Sequence, residues 1–268
     1  MKRLNQTIGL IGSGNMGSAI LAGLLRRRIA RPGQIWIYDS VSSKAKSTAK
    51  RFGVRAAKSN LDLARRTNII LLAIKPQDLK TVAGEIRFAL RSNQTVVSIL
   101  AGTPVSKLKR LLKKATVVRA MPNLGAQVGE SVTAVTSSSP RGLSIAETIF
   151  SGCGEVIRLS EKHFDLVTAV SGSGPAYFFL IMEILTQAAR KGGISAKAAR
   201  LLAVQTALGA AKLAQDSSDS PETLRKKVTS KKGTTEVALK FLFKKGFHKT
   251  FSEAIRRAVL RARELSRI

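Results

Sequence analysis

The sequence is short of the residues that carry most redox, metal and acid–base chemistry. It has one cysteine, Cys153, and two histidines, His163 and His248, in 268 residues. A lone cysteine excludes an internal disulfide, and no Cys/His spacing matches a metal site, so no metal is expected. Neither histidine lies in a motif with a nucleophile, and both are read as non-catalytic. Aromatic residues make up only 5% of the chain, and none is interleaved with basic tracts as a base-stacking platform requires. Acidic residues are scarce too: 16 Asp and Glu against 46 Lys and Arg leave a net charge of +30. The basic residues are spread along the whole length, which predicts non-specific adhesion to polyanions and no specific nucleic-acid partner. Long hydrophobic runs are missing. The strongest, residues 68–74, falls far short of the roughly 20 residues of a membrane-spanning helix. No membrane association is expected, and the expected location is cytoplasmic.

What the chain has is enough hydrophobic content for a core, 44%, and a glycine-rich stretch that organises the rest. Its length fits one large domain or two modest ones. Residues 7–17 read Thr-Ile-Gly-Leu-Ile-Gly-Ser-Gly-Asn-Met-Gly. The apolar Ile8, Leu10 and Ile11 feed into Gly12-Ser13-Gly14-Asn15-Met16-Gly17, and a helical pattern follows at once through Ala19, Ile20, Leu21, Leu24 and Leu25. Strand, glycine turn and helix are the context in which this spacing reads as a dinucleotide-binding turn. Gly12 is expected to make the tight turn, Gly14 to let the backbone approach a pyrophosphate, and Gly17 to let the helix pack close to the strand. The anion would sit on free N–H groups at the helix N-terminus.

Residues 34–38 form a second short strand ending at Asp39. An acid about twenty residues past the glycines commonly binds the adenosine ribose and favours NAD. Ser40, Ser42, Ser43 and Lys44 follow, and could instead meet a 2′-phosphate. Asp39 could also simply cap the next helix. The choice between NAD and NADP stays open on these residues. Asn60, which opens a further helix, is counted with the cofactor residues. Residues 68–74, apolar on both faces, read as a central parallel strand. Ala73, Lys75 and Pro76 stand at its carboxyl end, where ligands bind in such sheets. Further strands are read at 95–100, 116–119, 131–137 and 155–159, with Met121-Pro122-Asn123 as a pocket wall. A series of about eight strands closes a first domain, residues 1–160, and residues 161–268 are all helical.

Two hydroxyl- and glycine-rich breaks mark the helical half. In Ser171-Gly172-Ser173-Gly174-Pro175-Ala176-Tyr177, the residues Ser171, Ser173 and Gly174 are free to bind a small ligand. In Ser230-Lys231-Lys232-Gly233-Thr234-Thr235, the two threonines are expected at a helix N-terminus, where hydroxyls and N–H groups hold a carboxylate. Apolar stripes on so many helices in so small a domain predict burial against a second copy.

These motifs together resemble the pyrroline-5-carboxylate reductase family over nearly the whole chain. The resemblance rests on residues 12–17, Ala73-Ile74-Lys75-Pro76-Gln77, Arg119-Ala120-Met121-Pro122-Asn123, residues 171–177, residues 224–235 and the tail at 261–265. It implies an α/β fold: an N-terminal Rossmann-type dinucleotide-binding domain followed by an all-helical C-terminal dimerisation domain. It also implies a homodimer, in some members a decamer. The implied reaction is hydride transfer from NADPH, or NADH, to the C=N carbon of 1-pyrroline-5-carboxylate, giving L-proline. By the same resemblance Ser230, Gly233 and Thr234 lie near the substrate carboxylate and Thr235 near the ring nitrogen. Thr235 and Lys75 are the candidate catalytic residues. Where the family usually reads Ser-Pro-Gly-Gly-Thr-Thr, this chain has Lys231 and Lys232. If the replaced glycine required positive φ, Lys232 carries a backbone penalty. The residues alone also admit a related imine or β-hydroxyacid reductase, or a nucleotide-binding protein without turnover. A β-hydroxyacid enzyme would want a lysine within the long helix after the first domain, whereas Lys162, Lys191 and Lys197 read as helix-end residues.

Overall fold

Strand β1 (Ile8–Ile11) is buried at all four positions, as a strand covered by helices on both faces must be. The computed structural model describes residues 3–267. From β1 the chain runs through α1 (Asn15–Arg26), β2 (Ile35–Tyr38), α2 (Ser42–Phe52), β3 (Arg55–Ala56), α3 (Asn60–Arg66) and β4 (Ile69–Leu72). It continues through α4 (Leu79–Ile86), β5 (Thr95–Ser98), α5 (Val105–Leu112), β6 (Thr116–Met121), β7 (Ser131–Thr136), α6 (Pro140–Phe150) and β8 (Gly154–Arg158). The strands lie in the order β3-β2-β1-β4-β5-β6-β7-β8. All neighbours are parallel except β6 and β7, which pair antiparallel. The chain moves outward from β1 to β3 and then returns to place β4 on the other side of β1. This is the topological switch point, and ligands bind outside the carboxyl ends of the strands there.

Two apolar layers hold the sheet. Ile8 and Leu10 face Ile20, Leu21 and Leu24 of α1 together with Ile149 and Phe150 of α6. Ile11, Ile70 and Leu72 face Leu79, Val82 and Ile86 of α4 and Leu108 and Leu112 of α5. Each fully buried Ile or Leu contributes about 1.5–3 kcal/mol. Side chains also fix the helix starts. Ser59 accepts the Asp62 N–H at 3.0 Å to begin α3, and Ser139 accepts the Gly142 N–H at 3.1 Å to begin α6.

The remaining helices are α7 (Phe164–Val167), α8 (Gly174–Lys191), α9 (Ala196–Asp216), α10 (Pro221–Lys227), α11 (Thr234–Lys244) and α12 (Phe247–Arg267). The chain divides into two compact units, one comprising the residues up to Ser173 with those from Ala258 on, the other Gly174–Arg257. The boundary expected at residue 160 thus falls inside the first unit, which keeps α7 and the last turns of α12. There Ser266 donates to Asp165 at 3.3 Å.

The second unit buries little. Among its described residues only Gly174, Ala199 and Ala203 are buried, while Phe178, Leu201, Val237 and Phe241 are each at least 60% exposed. One helical stretch, Glu161–Lys191, is long and apolar enough by length and composition to cross a membrane. Serine and glycine at residues 171–174 interrupt its apolar pattern, which is why residues 68–74 read as the stronger run. The break expected at residues 171–174 is continuous with the helix. Residues Thr168–Gly172 form a π-helical turn, closed by the Ser173 N–H donating to the Thr168 carbonyl at 2.9 Å.

Candidate active site

Two of the three motif glycines are held by close backbone approach, and the third faces open space. Gly12 has φ +95°, and a Cβ there would strike the Ala73 carbonyl at the end of β4. A Cβ at Gly17 would strike the Gly12 carbonyl, so α1 sits closer to the turn than any side chain allows. At Gly14 the Cβ direction is open, with nothing within 4 Å. No side chain caps the N-terminus of α1, so its first N–H groups face the space that Gly14 leaves clear.

Asp39 closes the turn from the end of β2. Its carboxylate accepts the Ser13 backbone N–H and the Ser13 hydroxyl, each at 2.8 Å, and the Val41 N–H at 3.0 Å. Partial burial works to raise its pKa. The hydrogen bonds from Ser13 and Val41, with Lys44 nearby, outweigh burial and leave the pKa below the usual carboxylate value. Asp39 does not cap α2, whose N-cap is Val41 with no side-chain bond.

A cleft of about 550 Å³ opens beside this turn. Gly12, Gly14, Asp39, Ser40, Asn60, Ala73 and Lys75 line it together with Lys44, whereas Ser13, Asn15, Met16, Gly17, Pro76, Met121 and Asn123 do not. Pro76 follows Lys75 and starts a short 3₁₀ turn. Met16 packs against the core and Asn15 is exposed at the start of α1. A dinucleotide fits the residues present on one further observation. Asn60, on the cleft wall, is 5% exposed, and its carboxamide oxygen is buried with no hydrogen-bond partner among the described residues. A buried acceptor of this kind calls for an outside donor.

A second cluster lies at the end of β6. Asn123 Nδ2 donates to the Ser171 hydroxyl at 3.1 Å, and Asn123 Oδ1 accepts the Gly125 N–H at 3.0 Å. A Cβ on Gly172 would meet Met121 Cε at 2.7 Å, so the π-helical turn presses on the end of the strand. Met121, Asn123 and Ser171 are thereby brought together. Ser173 and Gly174 continue the same helical path, on either side of the division between the two units.

In the second unit Ser230, Gly233, Thr234 and Thr235 form the loop that starts α11, with both threonines exposed in its first turn. A Cβ at Gly233 would strike the Ser230 hydroxyl, so any side chain there would force Ser230 to turn away. Lys232 has φ +60°. Lys232 therefore sits in the left-handed region, at a cost of about 1–2 kcal/mol. Its N–H is held by Glu236 at 2.8 Å.

Comparison with known proteins bears directly on this arrangement. The family model described as "Pyrroline-5-carboxylate reductase dimerisation" matches residues 161–265. Another, described as "NADP oxidoreductase coenzyme F420-dependent", matches residues 7–102. A pyrroline-5-carboxylate reductase of Methanosarcina acetivorans is 37% identical, over 98% of this chain and 99% of the relative. The chain belongs to the pyrroline-5-carboxylate reductase family. Solved structures of family members superpose along its full length. That from Coxiella burnetii has a TM-score of 0.90 at 35% identity, covering 98% of this chain and 99% of the other. That from Plasmodium falciparum, with NADP bound, has a TM-score of 0.89 at 30% identity and the same coverage.

Two features of this reductase-family chain escaped the reading of the sequence. Arg119 is 4% exposed, donates to Glu161 at 3.1 Å and lies over the Phe164 ring at 4.7 Å. Glu161 also accepts the Val105 N–H at 2.7 Å. The motif arginine thus anchors the start of the helical stretch to β6. The other is Glu85 of α4, which accepts from Asn60 Nδ2 at 2.8 Å on the cofactor cleft. No local pattern marks either pairing.

Proposed function

We propose that this chain reduces 1-pyrroline-5-carboxylate to L-proline, the last step of proline biosynthesis, with NADPH or NADH as the reductant. The observation that carries the reading is 37% identity to a reductase of that name over 98% of the chain. The glycine turn with its switch-point cleft in one unit, and the glycine–threonine loop of α11 in the other, each support it. The dihydronicotinamide supplies the hydride. The protein's part is to bind, orient and exclude water. Residues 12–17 and the N-terminus of α1 hold the pyrophosphate, with Ser13 fixed by Asp39. Met121 and Asn123, tied to Ser171, wall the nicotinamide end, and Lys75 stands at the end of β4. Ser230, Gly233 and Thr234 receive the substrate carboxylate, aided by Ser171, Ser173 and Gly174. The Thr235 hydroxyl hydrogen-bonds the ring nitrogen. A cyclic imine can arrive already protonated, so no catalytic histidine is needed. NADPH, the reductant expected from the resemblance, finds support in the NADP-bound relative and in Ser40 and Lys44 on the cleft wall.

The exposed apolar side chains of α8 and α9 and the dimerisation match at residues 161–265 support a homodimer built through the helical unit. The resemblance extends this to a decamer. Loss of reduced-nicotinamide absorbance with 1-pyrroline-5-carboxylate, alongside assay of proline, tests the reading. Saturable turnover with stoichiometric proline is expected. A folded, dinucleotide-binding sample that forms no proline overturns it.

A further inference from the structure

We infer that a cavity at the amino ends of β1 and β4, on the opposite edge of the sheet from the cofactor cleft, is a second ligand site, built for a small phosphate monoester. Its volume is about 570 Å³, within the range of small-molecule pockets. Residues 3–6, which lead into β1, form one wall, and Asn68, just before β4, forms another. Arg141, Ser144 and Thr148 of α6 form the third, spaced three and four residues apart and so on one face of that helix. The cofactor cleft opens at the other ends of the same two strands, and a four-residue strand spans about 13 Å. No residue lines both cavities.

The charged lining is entirely cationic. Arg3 and Arg141 stand on different walls with no acid among the lining residues, and neither forms an ion pair with any described residue. This is not a uniform result of the net charge, because Asp39, Asp78 and Glu85 all line the cofactor cleft. Asn68 adds a donor of fixed orientation. Its Oδ1 accepts the Thr7 backbone N–H at 3.3 Å and the Thr7 hydroxyl at 2.9 Å. A backbone N–H only donates, so the oxygen must face Thr7 and the carboxamide NH2 is left over. That NH2 has no acceptor among the described residues. Two guanidinium forks and an amide donor match the oxygens of a phosphate. Two cations against one group suit a phosphate monoester, which carries about two negative charges, better than a single carboxylate. Leu4 and Ile145, both buried, give the same walls apolar surface. The cavity is far larger than a bare phosphate, so the anion is expected to be carried on a small organic body.

The test is calorimetric binding of AMP to the full chain at about 0.15 M salt, which screens diffuse attraction to the basic surface. NADPH is present at saturation to keep AMP out of the cofactor cleft, and inorganic phosphate and adenosine are titrated in parallel. Saturable binding is expected, about ten-fold or more tighter for AMP than for either part alone. Arg141 is exposed, so Arg141→Gln removes a cation without disturbing the core. Asn68→Asp keeps the oxygen that Thr7 uses and turns the free NH2 into a second oxygen. Each should weaken AMP about ten-fold or more, with NADPH affinity unchanged and little change in melting temperature. Lys212→Gln in α9 removes the same charge from an exposed position in the other unit and should leave AMP binding as it was. Absence of AMP binding, AMP held no tighter than inorganic phosphate, or affinity unmoved by Arg141→Gln and Asn68→Asp overturns the inference. So does an equal loss in Lys212→Gln, which would show adhesion to net charge alone. The readout is binding, so it stands apart from whether the chain forms proline.

Discussion

The carboxylate of Asp39 holds Ser13 by both its backbone N–H and its hydroxyl, each at 2.8 Å. The acid at the end of β2 is thus a strut for the glycine turn after β1, whatever else it contacts. Asp39→Asn keeps the shape and removes the charge. Loss of charge-assisted bonds worth about 1.5–3 kcal/mol should weaken dinucleotide binding ten-fold or more, as read by calorimetry. Unchanged affinity would show that the turn keeps its form unaided.

The same residue sets a pH dependence. Its folded-state pKa is lowered, since the bonds from Ser13 and Val41 outweigh burial. A carboxyl lowered on folding contributes stability that is complete above its unfolded pKa of about 4 and is lost as pH falls through the folded value. Denaturant midpoints of wild type and Asp39→Asn should therefore differ at neutral pH and converge as pH falls through the folded-state pKa of Asp39. A gap that persists in acid would assign the effect to shape.

Thr235→Ala removes the hydroxyl proposed to hold the ring nitrogen. One charge-assisted hydrogen bond of about 1.5–3 kcal/mol corresponds to a fall in kcat/KM of ten-fold or more. Steady-state kinetics showing an unchanged value would take Thr235 out of the mechanism.

Lys232→Gly relieves the left-handed backbone at φ +60°. Thermal denaturation should show stabilisation of about 1 kcal/mol, the αL penalty less the entropy of a freer unfolded chain. A destabilised variant would mean that the lysine side chain makes a contribution larger than the strain.

Cys153 is fully buried, and burial, only partly opposed by Arg26, pushes its thiol pKa up to about 11. The thiolate is the reactive form. A thiol reagent at mildly alkaline pH should leave the native protein unlabelled and react with one equivalent after unfolding. Rapid labelling of the native protein would contradict this packing.

Much of the nucleotide half was legible because its signals are local. The spacing of Gly12, Gly14 and Gly17 encodes a turn in which Gly12 and Gly17 leave no room for a side chain. The apolar run ending at Lys75 marks the central strand beside it. Lys232 was legible as a candidate for backbone strain, and its φ of +60° puts it in the left-handed region. Direction and distance were not legible. Nothing within residues 131–136 says that β7 runs against β6. Residues 171–175 are rich in serine, glycine and proline and read as a helix break. The structure instead absorbs the irregularity in one wider turn, paired five residues back. Asn60 with Glu85, and Arg119 with Glu161, are tertiary pairings between residues 25 and 42 apart. No periodicity reports them.

The path of α12 has a consequence for taking the molecule apart. The chain leaves the nucleotide-binding unit after Ser173 and re-enters it at Ala258. Leu265 there lies against Gly102, whose missing side chain makes room for it. The helical unit is therefore an insertion, not an appendage. A fragment ending at Ser173 lacks part of its own domain, and a deletion of the last ten or so residues injures the cofactor half while sparing the helices that precede it. Dissection should instead excise residues 174–257 and rejoin the flanks, keeping both segments of the nucleotide unit on one chain.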